Sequence, residues 1–133
     1  MMGTYVLVAQ LKKYSRMRIG KLGNLIFPKG YYCYVGSAFG KVMSLENRIK
    51  RHKKLDKDKK GKLKWHIDYF LTNPNASIKK IVTFNGKKIE CKISRMLEKH
   101  AQLPINGFGC SDCKCKSHFY YFGEESCEKL LVK

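Results

Sequence analysis

Acidic side chains are scarce in this chain and missing from its first third: residues 1–45 carry seven Lys or Arg and no Asp or Glu. Of 133 residues, 10 are Asp or Glu against 28 Lys or Arg, a formal net charge of +18. That balance points to a polyanion as partner, most simply nucleic acid, which such a surface binds by displacing counterions. Long apolar runs are missing too. The longest, Tyr5–Ala9 and Tyr31–Val35, fall far short of the roughly 20 residues a spanning helix needs, so no membrane partner is expected. The N-terminus has neither the basic lead nor the cleavage site of a secretory signal. A cytoplasmic location is therefore expected, with the six cysteines as reduced thiols or metal ligands rather than disulfides. No repeat, linker or low-complexity segment divides the chain. One domain over residues 1–133 is expected, with a core over about 3–100 and a Cys-rich extension over about 104–133.

What is present is a globular composition, 44% hydrophobic. Gly3–Gln10 reads as a strand, as do Tyr31–Gly36, Ile78–Phe84 and His118–Phe122. Met17–Phe27, broken at Gly20 and Gly23, reads as a ragged hairpin arm ahead of a Pro28-Lys29-Gly30 turn. Ser44 suits the N-cap of a helix from Leu45 to about Lys54, followed by a Lys-rich loop over 55–64. A short helix is expected over Trp65–Leu71. Helical spacing of Ile89, Ile93, Met96, Leu97 and His100 marks a longer one over Lys88–Gln102. The order of elements predicts a small α+β domain, a mostly antiparallel sheet flanked by helices.

Chemistry concentrates in two strands and one helix. Tyr5 and Tyr34 sit in the strands, while Arg48 and His52, four residues apart, share a helix face. These four converge, by expectation, on one basic concavity. Each has a bland alternative: ordinary strand tyrosines, a solvated arginine, a surface histidine. The run Lys57–Lys64 reads as a solvated face. Ser37, Lys50, Arg51, Lys53 and Lys54 are the expected nucleic-acid contacts. On Trp65–Leu71, Trp65 and Tyr69 form a packing stripe. His66 is offered as a second base or phosphate ligand, and Asp68 as a cap or ion-pair partner. Cys110, Cys113, Cys115 and His118 place four soft ligands within nine positions, a candidate structural Zn²⁺ site whose alternative is buried free thiols. Cys33 and Cys91 read as core residues.

The motifs Gly3-Thr4-Tyr5 and Tyr34-Val35-Gly36-Ser37-Ala38, followed by Arg48-x-x-x-His52, resemble the GIY-YIG nuclease superfamily. Over residues 3–100 four elements fall in that family's order. The resemblance implies a catalytic Glu early in a later helix, and Glu90 matches that position. Trp65-His66-Ile67-Asp68-Tyr69 and the Gly107–Cys115 stretch resemble an uncharacterised prokaryotic branch of it, some of whose members stand beside a DNA-repair glycosylase domain. Three departures are visible. Thr4 replaces the usual Ile or Val, altering packing alone. The loop between Gly36 and Arg48 is longer, around Phe39–Met43. Asn106 lies too far from Glu90 to carry the family's asparagine role.

The implied activity is phosphodiester hydrolysis in DNA, ahead of RNA, on damaged or branched forms. A tyrosine or histidine would orient and deprotonate water. Arg48 would grip the phosphate, and Glu90 would hold one Mg²⁺ or Mn²⁺. A DNA-repair protein is the implied protein partner. The alternatives are a non-catalytic nucleic-acid-binding module on the same fold, or a small zinc-stabilised adaptor.

Overall fold

A computed structural model describes residues 1–39, 44–110 and 114–131. Its main sheet has five strands in the order β5-β1-β4-β7-β6, all neighbours antiparallel. These are β1 (Gly3–Leu11), β4 (Gly30–Ala38), β5 (Ala76–Asn85), β6 (Leu103–Pro104) and β7 (Phe119–Gly123). A separate hairpin pairs β2 (Ser15–Arg18) with β3 (Asn24–Phe27). Three helices complete the fold: α1 (Leu45–Asp58), α2 (His66–Leu71) and α3 (Glu90–His100). The expected α+β class is the one observed.

Both faces of the sheet are covered. Tyr5, Leu7 and Ala9 of β1, with Tyr32 and Tyr34 of β4, bury against α1, α2 and the β2–β3 hairpin. Val6, Val8, Cys33 and Val35 bury on the opposite face, beneath α3 and the C-terminal turn. This double burial is why β1 and β4 read as unbroken apolar runs instead of alternating ones. No helix among the described residues is long and apolar enough to cross a membrane.

Most expected boundaries shift by one or two residues, and the larger changes are at Met17–Phe27 and at the end of α1. The stretch Met17–Phe27 is not one arm. Its glycine breaks enclose a 3-10 turn, Gly20–Leu22, and the halves on either side pair with each other. Ser44 caps α1 as expected, its hydroxyl accepting from the Asn47 N–H at 3.1 Å. The helix then runs a turn past Lys54, because Leu55 continues the buried stripe of Leu45 and His52. It ends at Lys59, whose Nζ donates to Asp56 and to the carbonyls of Leu71 and Ala76. The expected loop over 55–64 is shorter by those residues. Of the lengthened loop around Phe39–Met43, residues 40–43 lie outside the described residues.

Cys33 and Cys127 are joined as a disulfide, tying β4 to the C-terminal turn. This corrects the expectation of thiols throughout, whereas Cys33 is fully buried in the core, as expected. The sequence hid the pair because 94 positions separate the two cysteines.

Candidate functional site

An open cleft of about 280 Å³ lies where β4, α1, the start of α2, the start of α3 and the loop before β7 meet. Its walls include Tyr34, Gly36, Ser37, Arg48, His66 and Glu90, with Lys64, Trp65 and Gly109. Five residues expected from sequence, Tyr34, Ser37, Arg48, His66 and Glu90, are thus brought together from four elements.

Tyr5 and His52 stand behind this cleft. Tyr5 is fully buried, and its hydroxyl lies 2.6 Å from His52 Nε2. Burial drives the Tyr5 phenol well above its ordinary value; the neighbouring Tyr34 adds to this, and the Arg48 charge offsets only part of it. It therefore keeps its proton at neutral pH, and the expectation that a tyrosine deprotonates water does not fit this residue. His52, also buried, is pushed down to about 4, first by desolvation and then by Arg48 and Arg51, against the pull of Asp68. It is a neutral imidazole, not the exposed histidine of a Lys-rich helix end. Gly36 faces Tyr5 across the β1–β4 ladder. A Cβ there would sit 2.5 Å from the Tyr5 ring carbon and hydroxyl. The glycine is what lets the Tyr5 ring pass beneath the cleft floor.

Arg48 is held by an aromatic surface. Its guanidinium carbon lies 4.3 Å from the Trp65 ring centroid, a stacking that orients a planar cation without consuming its donors. Arg48 Nε is buried with no hydrogen-bond partner among the described residues. Trp65 and Tyr69 pack against the core as expected, and Trp65 in addition carries the arginine. A lone Trp beside an Arg-bearing helix was the available signal.

Arg51, an expected phosphate contact, is engaged within the fold. It forms a bidentate pair with Asp68 at 2.8 Å for each bond and donates to the Lys62 carbonyl. Asp68, fully buried, also accepts the N–H groups of Lys64 and Trp65 at 2.7 and 2.8 Å. The cap or ion-pair expectation for Asp68 is met in both senses. The pair shapes the turn that delivers Lys64, Trp65 and His66 to the cleft. Lys50, Lys53 and Lys54 are exposed on α1 and do not line the cleft.

His66 receives the Gly109 N–H on Nδ1 at 2.9 Å. An imidazole accepting at Nδ1 carries its proton on Nε2 when neutral, and burial lowers its pKa. The ring therefore offers a donor and not a second base. Gly109 has φ +72, and a Cβ there would be 3.1 Å from the Tyr34 ring, so the left-handed turn also keeps Tyr34 in place.

Glu90 begins α3, where a carboxylate is favoured by the helix dipole. Its position is set by Thr4, whose buried hydroxyl donates to the Lys87 carbonyl at 2.7 Å and accepts the Ile89 N–H at 3.1 Å. Thr4 therefore does more than alter packing; an Ile or Val could make neither bond.

The soft ligands regroup. Cys91, Cys115 and His118 each bring a ligand atom to within 4.8 Å of the others, a group able to bind a metal. Among the described residues the group includes Cys91 and not Cys110, and Cys113 lies outside the described residues. Neither the core reading of Cys91 nor the expected four-ligand set anticipated that α3 would supply a ligand.

Comparison with curated proteins and with solved structures finds no match. Residues 4–133 match a family model described as a domain of unknown function, DUF123, and the chain belongs to that family.

Proposed function

We propose that the cleft hydrolyses phosphodiester bonds in DNA as a metal-dependent endonuclease acting on damaged or branched forms. The observation that carries this reading is the meeting of Arg48, Tyr34, His66 and Glu90 around one open cleft of a chain with net charge +18. Arg48, held against the Trp65 ring, offers its remaining donors to non-bridging phosphate oxygens, where charge grows in the transition state. The Nε2–H of His66 adds a neutral donor that needs no protonation step. The Tyr34 hydroxyl, at the cleft wall, orients the attacking water. Tyr5 and His52 support the floor from behind.

Glu90 is a lone carboxylate with a side chain 27% exposed. That donor set suits Mg²⁺ or Mn²⁺, which take one or two protein carboxylates and complete their shell with water and substrate phosphate. Such an ion supplies charge stabilisation at the leaving oxygen when bound. A DNA-repair setting and a repair-protein partner accord with this chemistry and remain part of the proposal.

The test is strand nicking of labelled duplex, single-stranded, flap and abasic DNA with Mg²⁺ or Mn²⁺. Glu90→Gln is expected to abolish cutting while DNA still binds. Arg48→Ala is expected to reduce cutting by roughly 10²-fold or more. The second reading, a non-catalytic binding module, rests on the charge alone. Salt-sensitive binding with no cutting by the unmodified chain would favour it and overturn the nuclease.

A further inference from the structure

We infer that Cys91, Cys115 and His118 form a zinc site that fastens the start of α3 to the loop before β7, with His118 linking that ion to Glu90. The donor chemistry comes first. Two thiolates and one imidazole are soft, and suit Zn²⁺ rather than the oxygen-seeking ions expected at Glu90.

The spacing agrees. Ligands at about 2.0–2.3 Å from a tetrahedral zinc stand about 3.5–3.8 Å from each other. Cys91 Sγ and His118 Nε2 are 3.9 Å apart, and the three ligand atoms lie within 4.8 Å of one another. Small side-chain movements close the set, leaving a fourth position for solvent or another sulfur.

The scaffold is stiff where it must be. His118 is 2% exposed, and its backbone is pinned on both sides, its N–H to the Phe108 carbonyl and its carbonyl to the Val35 N–H, each at 2.8 Å. Cys91 lies in the first turn of α3, whose entry Thr4 fixes.

The two ring nitrogens of His118 point to different partners. With Nε2 toward Cys91, Nδ1 stands 3.8 Å from Glu90 Oε2. A metal on Nε2 fixes the proton on Nδ1, and a metal-bound histidine commonly donates that proton to a carboxylate. Loading the site would close the 3.8 Å gap to a hydrogen bond and hold Glu90 at the cleft wall. The zinc would be structural, one step removed from the chemistry, and its existence does not depend on the nuclease reading.

The test uses the full chain, stripped with chelator and reconstituted with Zn²⁺ or Co²⁺. One metal per chain is expected, and the Co²⁺ form should show tetrahedral d–d absorption with a thiolate charge-transfer band. That band should fall by about half in Cys91→Ser and in Cys115→Ser. In the unmodified chain, Cys91 and Cys115 should resist alkylation with zinc bound and react after chelation, as read by peptide mass, which needs no variant to fold. Glu90→Gln should keep one zinc per chain and weaken it on the order of tenfold. No bound metal, a thiolate-free cobalt spectrum, or full binding by Cys91→Ser would overturn the site. Unchanged zinc affinity in Glu90→Gln would overturn the link to Glu90. None of these readouts involves cleavage, so they stand apart from the fate of the nuclease proposal.

Discussion

A phenol and an imidazole sealed from water at 2.6 Å have little freedom to change charge, and Tyr5 and His52 are such a pair. His52 titrates at about 4 in the folded chain and near 6.5 when unfolded. Between those values the unfolded chain holds a proton that the native chain lacks, so stability rises with pH across that window. It is fully present above 6.5 and lost progressively toward 4. The pKa difference corresponds to about 3 kcal/mol at the acid end. Urea unfolding of the wild type and of His52→Gln, repeated from pH 4 to 7, reads this directly. The variant should lose that part of the slope, and equal slopes in both chains would remove His52 as the cause. The spacing of Arg48 and His52 announces a shared helix face, and that much is true. Which of the two faces inward is invisible in the spacing, because burial is decided by the strand packed beneath.

At the scale of elements, one ion pair organises the approach to the cleft. Asp68, itself without exposure to water, accepts from Arg51 twice and from two backbone N–H groups. Removing one partner leaves a buried charge uncompensated, the costly way to break such a pair. Asp68→Asn and Arg51→Ala should each lower stability by about 3 kcal/mol in urea unfolding. The double variant should cost less than the two combined, since both act on one interaction. If Arg51 were chiefly a phosphate contact, its alanine variant would weaken DNA binding and leave the unfolding midpoint nearly unchanged. The elements themselves are legible wherever a local cause fixes them: the Ser44 cap, the Pro28-Lys29-Gly30 turn, the periodic stripe of α3. The length of α1 is not, because a Lys-rich sequence reads as a solvated loop until Leu55 is seen to touch the core. The pairing of β2 with β3 was equally hidden, since glycines that break one strand do not say that its halves will face each other. For the metal group, sequence proximity favoured the cysteines of one loop, whereas the tertiary fold brings in Cys91 from a helix.

For the whole molecule, the question is where a charge of +18 acts. Composition alone makes every lysine a candidate phosphate contact, Lys50, Lys53 and Lys54 of α1 among them. The fold separates those side chains from the cleft: they project outward from α1, while Arg48 turns inward onto Trp65. Lys64 is placed otherwise, at the cleft rim with its Nζ 4.8 Å from the same indole. On the proposed nuclease reading, a duplex seated at Arg48 and Glu90 would pass that rim. Each lysine that neutralises a phosphate contributes about 0.9 to the slope of log binding constant against log salt. Lys64→Ala should therefore lower the slope by about one and weaken binding to all sequences alike. Lys53→Ala and Lys54→Ala should leave the slope unchanged, though each removes the same unit of net charge. Fluorescence anisotropy of a labelled duplex, titrated at several salt concentrations with each variant, separates position from total charge. If all three variants lower the slope equally, the duplex reads the molecule as a diffuse cation and the cleft has no privileged hold on it. If only Lys64→Ala does so, the phosphate backbone runs along the rim that leads to Arg48.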